Sequence, residues 1–233
     1  MWPQYDGKGP QMGRVTKRIL GASAVALAAA AAVLLSTGGS AAGERTASLA
    51  PSYETERPSY IAVGATTRAP IGWVEFCIRY KGECDTRPSS PRDVVLSSKA
   101  WADMMKVNTW VNTNITPITD LEHWGVVEQW DYPDDGKGDC EDYVLLKRRM
   151  LMQAGWPREA LLITVVRDKK DEGHAVLTVK TNRGEFILDN EETEILPWQK
   201  TGYRFVKRQS QSDPNNWVTL GEPPANPPIV SAH

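Results

Sequence analysis

The clearest periodicities lie in the middle of the chain. Ala100, Met104, Val107 and Val111 recur at helical spacing behind Ser97 and Ser98, either of which can cap. That pattern predicts a helix over 97–111. Trp101 and Trp110 flank its apolar face and suit a core better than a binding platform. A second helical pattern runs over 140–153, where Tyr143, Leu146, Met150 and Leu151 share a face. Gly155 and Pro157 follow in the order expected of a helix end. Apolar or alternating runs predict strands at 161–166, 175–179 and 185–188, with further strands at 203–206 and 217–220. Gly72–Cys77 reads as a short strand or extended segment. Residues 121–130 read as a helical or turn-rich connector, and 131–138, dense in Asp, Pro and Gly, as an acidic loop. Helices followed by antiparallel strands make an α+β domain.

The ends of the chain read differently. Arg14, Lys17 and Arg18 precede an Ala-rich apolar run from Ile19 to Leu35, and small residues follow to Ala42. This is the layout of a secretory signal over 1–42, with an uncleaved N-terminal anchor as the alternative. Removing it would take out Lys8, Arg14, Lys17 and Arg18 but only Asp6, leaving a mildly acidic exported domain. Residues 43–69 lack a sustained period and read as a linker. The domain is expected over 70–220, with a Pro-rich tail at 221–233.

With 233 residues, the chain is long enough for one domain with a substantial core. Its 27 basic and 29 acidic residues argue against a protein built to coat nucleic acid. Three cysteines are too few for a disulfide scaffold, and no CxxC or His-rich cluster offers a zinc site. Cys77 and Cys84, seven apart, can close a small loop in an oxidising compartment, or remain two buried thiols.

Cys140 is then the cysteine without an obvious partner. It opens the second helix after a Gly-rich turn, where free N–H groups and the helix dipole favour a thiolate. The alternative is an ordinary buried cysteine. His174 opens the strand 175–179. A histidine beside such a cysteine can accept the thiol proton and return it to a leaving group. Asp189 is the candidate for orienting the imidazole. If Asn182-Arg183 is a two-residue loop, Thr181 lies opposite Gly184 and Asp189 opposite Val176. Asp189 then sits diagonal to His174 on one face. A three-residue loop would put the two on opposite faces.

Gly-Asp-Cys-Glu-Asp-Tyr at 138–143, Gly-His-Ala-Val-Leu at 173–177 and Leu-Asp-Asn at 188–190 resemble the bacterial transglutaminase-like cysteine peptidases. Phe76-Cys77 and Glu83-Cys84 are similar to exported members from alphaproteobacteria. The resemblance covers roughly 70–220. It implies a papain/transglutaminase-like core in which a Cys-bearing helix packs on an antiparallel sheet carrying His and Asp. It also implies Cys140 as nucleophile, His174 as general base and acid, and Asp189 as orienting carboxylate.

Asp139, Glu141 and Asp142 crowd the thiol with negative charge, which raises its pKa unless a cation offsets it. Relatives among the periplasmic adhesin-releasing proteases bind calcium at the matching acids, so the resemblance implies Ca2+ at Asp139, Glu141 and Asp142. The alternative is that these acids cap the helix and pair with Lys137, Arg148 or Arg149. An EF-hand reading of 131–142 meets Pro133 at its third position and Asp142 at its twelfth. The family further implies a protein or peptide substrate, a surface adhesin among the candidates, an inner-membrane regulatory receptor and a periplasmic location. Two other functions fit the same residues: a transglutaminase-type acyl transferase, and a calcium-dependent binding module without turnover. Beyond the Cys140 N–H, Gln129, Trp130 or a backbone group could complete an oxyanion site.

Overall fold

The computed structural model describes residues 58–85 and 87–221; the expected signal or anchor at 1–42, the linker up to 57 and the tail from 222 lie outside the described residues. The described part is a seven-stranded antiparallel sheet with helices against one face. The elements are β1 (Val63–Thr67), α1 (Ile71–Arg79), α2 (Lys81–Cys84), α3 (Ser98–Asn114), β2 (Thr116–Pro117), α4 (Asp120–His123) and β3 (Lys137–Gly138). They continue with α5 (Cys140–Gln153), β4 (Leu161–Arg167), β5 (Gly173–Thr181), β6 (Gly184–Leu188), β7 (Leu196–Pro197), β8 (Arg204–Gln209) and β9 (Trp217–Leu220). The sheet order is β1-β9-β8-β4-β5-β6-β7.

Alternation along the strands divides the core. On β5, Ala175, Leu177 and Val179 face the helices, where they meet Met104, Val107 and Val111 of α3 and Val144 and Leu151 of α5. Val176 points the other way, into a smaller cluster with Ile61, Val166, Ile187 and Phe205. The β5–β6 hairpin pairs Thr181 with Gly184 and Leu177 with Leu188, the two-residue register. Gly184 has φ +110°, and a Cβ there would stand 2.9 Å from the Ser59 carbonyl, so glycine is needed for both conformation and space.

The helices end where local chemistry stops them. Ser97 caps α3, its Oγ accepting from the Ala100 N–H at 3.1 Å. At the far end of α5 the Trp156 N–H reaches the Leu151 carbonyl and the Gly155 N–H the Met152 carbonyl, the Schellman pairing, with Gly155 at φ +88°. The start of α5 is tighter. A Cβ on Gly138 would lie 2.5 Å from Asp142 Oδ2 and 2.7 Å from Asp142 Cβ.

Two segments correct the sequence reading. Gly72–Cys77 is helical within α1: Trp73 and Phe76, three apart, are buried together against Trp130, Trp217 and Tyr132. A run this short fits a strand or a helix by period alone, and packing decides. The domain also starts before Pro70. β1 lies within the stretch read as a linker and pairs with β9, while Ile61 joins the smaller cluster. β1 is an edge strand of small and polar residues, mostly exposed, held by backbone hydrogen bonds that leave no apolar alternation.

α5 buries charge as well as apolar surface. Arg148 donates from Nε to the Leu161 carbonyl. Lys147 is 0% exposed and its Nζ has no hydrogen-bond partner. Burial pushes its pKa down to about 7, opposed by the Asp189 charge.

Gly138→Ala should cost about 2 kcal/mol or more in denaturant unfolding, because Asp142 and the first turn of α5 must move. Lys147→Met should stabilise the fold by about 1–4 kcal/mol at pH 6–7. The folded lysine titrates near 7 and the unfolded one near 10.5, so the unfolded chain holds the extra proton between these values. Wild-type stability from this group therefore rises with pH across that window, and the variant's advantage should shrink toward pH 10 in melting curves.

Candidate active site

The site forms where the N-terminus of α5 meets the start of β5. Asp139 is the N-cap residue and makes no side-chain cap bond, so no N-cap side chain occupies the first-turn N–H groups around Cys140. Cys140 is the free cysteine and keeps partial exposure. Glu141 Oε2 lies 3.2 Å from Sγ, and the backbone of Ala175, next to His174, faces the thiol. Burial, then the charges of Glu141 and Asp139, push the Cys140 thiol well above its ordinary pKa, and the Ala175 backbone opposes them.

His174 Nε2 lies 2.9 Å from Asp189 Oδ1, with the residues 7% and 2% exposed. That buried contact follows from the hairpin register. Asp189 Oδ1 also accepts from the Glu191 N–H at 3.0 Å, and Oδ2 from the Tyr203 hydroxyl at 2.6 Å. Burial opposes ionisation of Asp189, but the His174 contact, the Tyr203 hydroxyl and the Glu191 N–H together hold its carboxyl below the usual range. Tyr203 also sets its ring edge-on to the imidazole, centroids 5.8 Å apart. Asn112 of α3 donates to the Asp189 carbonyl at 2.7 Å. Tyr203 and Asn112 escape sequence reasoning: one reads as a strand residue, the other as a polar position late in a helix.

The acidic residues divide. Asp120, Asp139 and Glu141 each bring a carboxylate oxygen to within 4.8 Å of the others. Asp142 turns aside, its Oδ1 accepting from the Asp131 N–H at 2.8 Å. Burial first, then Asp139, Asp120 and Asp131, push Asp142 up to about 8, against the pull of the Asp131 N–H. Asp120 is absent from the sequence-derived set because a pairing of two residues brings it in. β2 and β3 run parallel, Thr116 beside Lys137 and Pro117 beside Gly138, and this sets the start of α4 against the start of α5. A Thr119–Glu122 capping box fixes α4, and the Asp120 N–H donates to Asp139 Oδ2 at 3.3 Å. A Thr-Asp-Leu-Glu helix start is visible in the sequence, but it says nothing of a partner nineteen residues on.

The cluster fits a hard cation. Its donors are all oxygens. Asp139 Oδ1 and Glu141 Oε1 are buried without a hydrogen-bond partner, and Glu141 is 4% exposed. Burial and then the Asp139 and Asp142 charges push Glu141 well above the carboxylate range. A divalent ion would satisfy the orphan oxygens and relieve that repulsion. Of the oxyanion candidates, the Gln129 backbone N–H donates to Asp120 and the Trp130 indole N–H to Glu128 at 2.6 Å.

No curated protein matches the chain. Among solved structures, calcium-bound LapG of Legionella pneumophila is 26% identical, with 53% of this chain and 72% of that one covered and a TM-score of 0.45. A second LapG structure from the same organism is 28% identical over 47% and 63% of the two chains, at a TM-score of 0.41. An EGTA-treated LapG structure is 24% identical over 55% and 70%, at 0.43. The family model of the bacterial transglutaminase-like cysteine proteinases (BTLCP) matches residues 63–224. The match spans well over half of the sequence and includes Cys140, His174 and Asp189, so the chain belongs to this family of cysteine peptidases.

Proposed function

We propose that the protein cleaves a protein substrate through an acyl-enzyme formed on Cys140, with His174 as general base and acid and Asp189 as the carboxylate that orients it. The observation that carries this reading is the buried His174–Asp189 contact beside a thiol at a helix N-terminus. With Nε2 on Asp189, Nδ1 is the ring nitrogen left for the thiol. Nδ1 takes the Cys140 proton as Sγ bonds to the scissile carbonyl carbon. The Cys140 N–H, at a helix start without a side-chain cap, suits the developing oxyanion. Collapse breaks the C–N bond, and the imidazolium gives its proton to the departing amine. Water, deprotonated by the same imidazole, then cleaves the thioester and restores the thiol.

Asp120, Asp139 and Glu141 would hold Ca2+, a positive charge beside the thiol that favours its ionised form. The signal-like residues 1–42 support export to the periplasm. A surface adhesin as substrate and an inner-membrane receptor as regulator rest on the family resemblance alone.

An iodoacetamide probe should label Cys140 selectively at neutral pH, and His174→Ala should slow labelling at least about tenfold. Cys140→Ala should abolish hydrolysis while the circular dichroism spectrum is kept. Labelling of the wild type no faster than a free thiol, both with calcium and with EGTA, would remove the peptidase assignment, and amine incorporation without hydrolysis would move it to acyl transfer. In calorimetric titration the chain should bind calcium, with Asp120→Asn weakening binding at least about tenfold. EGTA should lower the melting temperature of the wild type but not of Asp120→Asn.

A further inference from the structure

The disulfide loop lies outside the Cys–His–Asp group, yet its side chains reach the segment that frames the acidic cluster. Cys77 and Cys84 are bonded, closing a loop between the end of α1 and the end of α2. Arg79 and Tyr80 lie within it. Arg79 Nη2 donates to the Trp130 carbonyl at 2.5 Å, and its Nε lies 4.0 Å from Asp131 Oδ2. The Tyr80 hydroxyl donates to Asp131 Oδ1, which also accepts from the Tyr132 N–H at 2.8 Å. α1 adds a steric fix: Gly72 lies so close under the Trp130 indole that a Cβ would stand 2.2 Å from its Cδ1.

The other side of the same three-residue segment meets the cluster. The Gln129 N–H donates to Asp120, and the Asp131 N–H to Asp142 Oδ1 at 2.8 Å. Residues 129–131 therefore bridge the disulfide loop and the acids around Cys140. Carboxylates brought this close repel one another, and the Gln129 N–H, together with the α4 capping box, keeps Asp120 in the cluster against that repulsion.

We infer that Arg79 and Tyr80, held by the Cys77–Cys84 bond, are positioning residues that pre-set the Asp120–Asp139–Glu141 site for its cation. This rests on the reading of that cluster as a calcium site. A clamp of this kind lowers the ordering cost that binding must meet, and so appears in affinity. A role in folding alone appears in stability and leaves affinity unchanged.

The test is calcium titration by calorimetry on the purified chain, with circular dichroism confirming that each variant is folded at the working temperature. The variants are Tyr80→Phe, Arg79→Met and Cys77→Ser combined with Cys84→Ser. Each should raise the calcium Kd by about three- to tenfold, in line with one or two lost hydrogen bonds to a positioned segment. Arg158→Met supplies a control, because Arg158 donates to the Glu83 carbonyl at 2.6 Å, within the same loop, and not to residues 129–131. It should lower the melting temperature and leave the Kd unchanged. Wild-type binding with unchanged Kd in all folded clamp variants overturns the clamp alone. A wild type that binds no calcium overturns the cation site itself, and the clamp with it.

Discussion

The site depends on the register of one hairpin. Thr181 opposite Gly184 fixes that Asp189, the residue after β6, comes beside His174. A slip of one residue would turn Asp189 to the opposite face and leave a carboxylate and an imidazole buried without each other. Such a slip is resisted from several sides. Gly184 supplies the positive φ at the turn, and the Ser59 backbone packs where a Cβ would stand. Asn182 bonds to Val94 and Leu96 ahead of α3. Glu185, 1% exposed, meets Arg208 at 2.9 Å and accepts from the Ile61 N–H.

Much of this was legible before any coordinates. The turn residues Asn182-Arg183-Gly184 marked the hairpin and allowed the two-residue register among others, and the Cys140 helix was marked by a Gly turn before it and Gly155 and Pro157 after it. What escaped shares a cause. Trp73 and Phe76 sit in an apolar run too short for its period to separate helix from strand. β1 is stabilised by backbone pairing, which leaves no trace in side-chain pattern. Asp120 reaches Asp139 and Glu141 through a ladder of two residue pairs, below the length at which alternation carries information. Lys147 and Arg148, two residues of a basic triplet, are buried because α5 is covered around most of its circumference.

The same neighbourhood shows where stability gives way to chemistry. Three carboxylates and a thiol gathered at one helix start oppose folding unless charge or protons compensate them. The helix dipole helps only within the first turn. Buried Lys147 adds a charge with no hydrogen bond to offset its lost hydration. A core optimised for stability would have apolar side chains at several of these positions.

β1 and β9 give the domain a particular order of assembly. Their pairing joins residues about as far apart in sequence as the domain allows, with Thr219 bonding to Ala65 across 154 positions. His174 and Asp189 are only 15 apart. Loop-closure entropy favours the short connection. The reactive group can therefore take shape while the outer edge of the sheet is still open. The β1–β9 seam brings the first and last strands of the domain side by side, which makes the domain topologically close to a ring. Its natural start and end are thus one of several places where the chain could be cut and rejoined without disturbing the Cys140 helix or the hairpin opposite it.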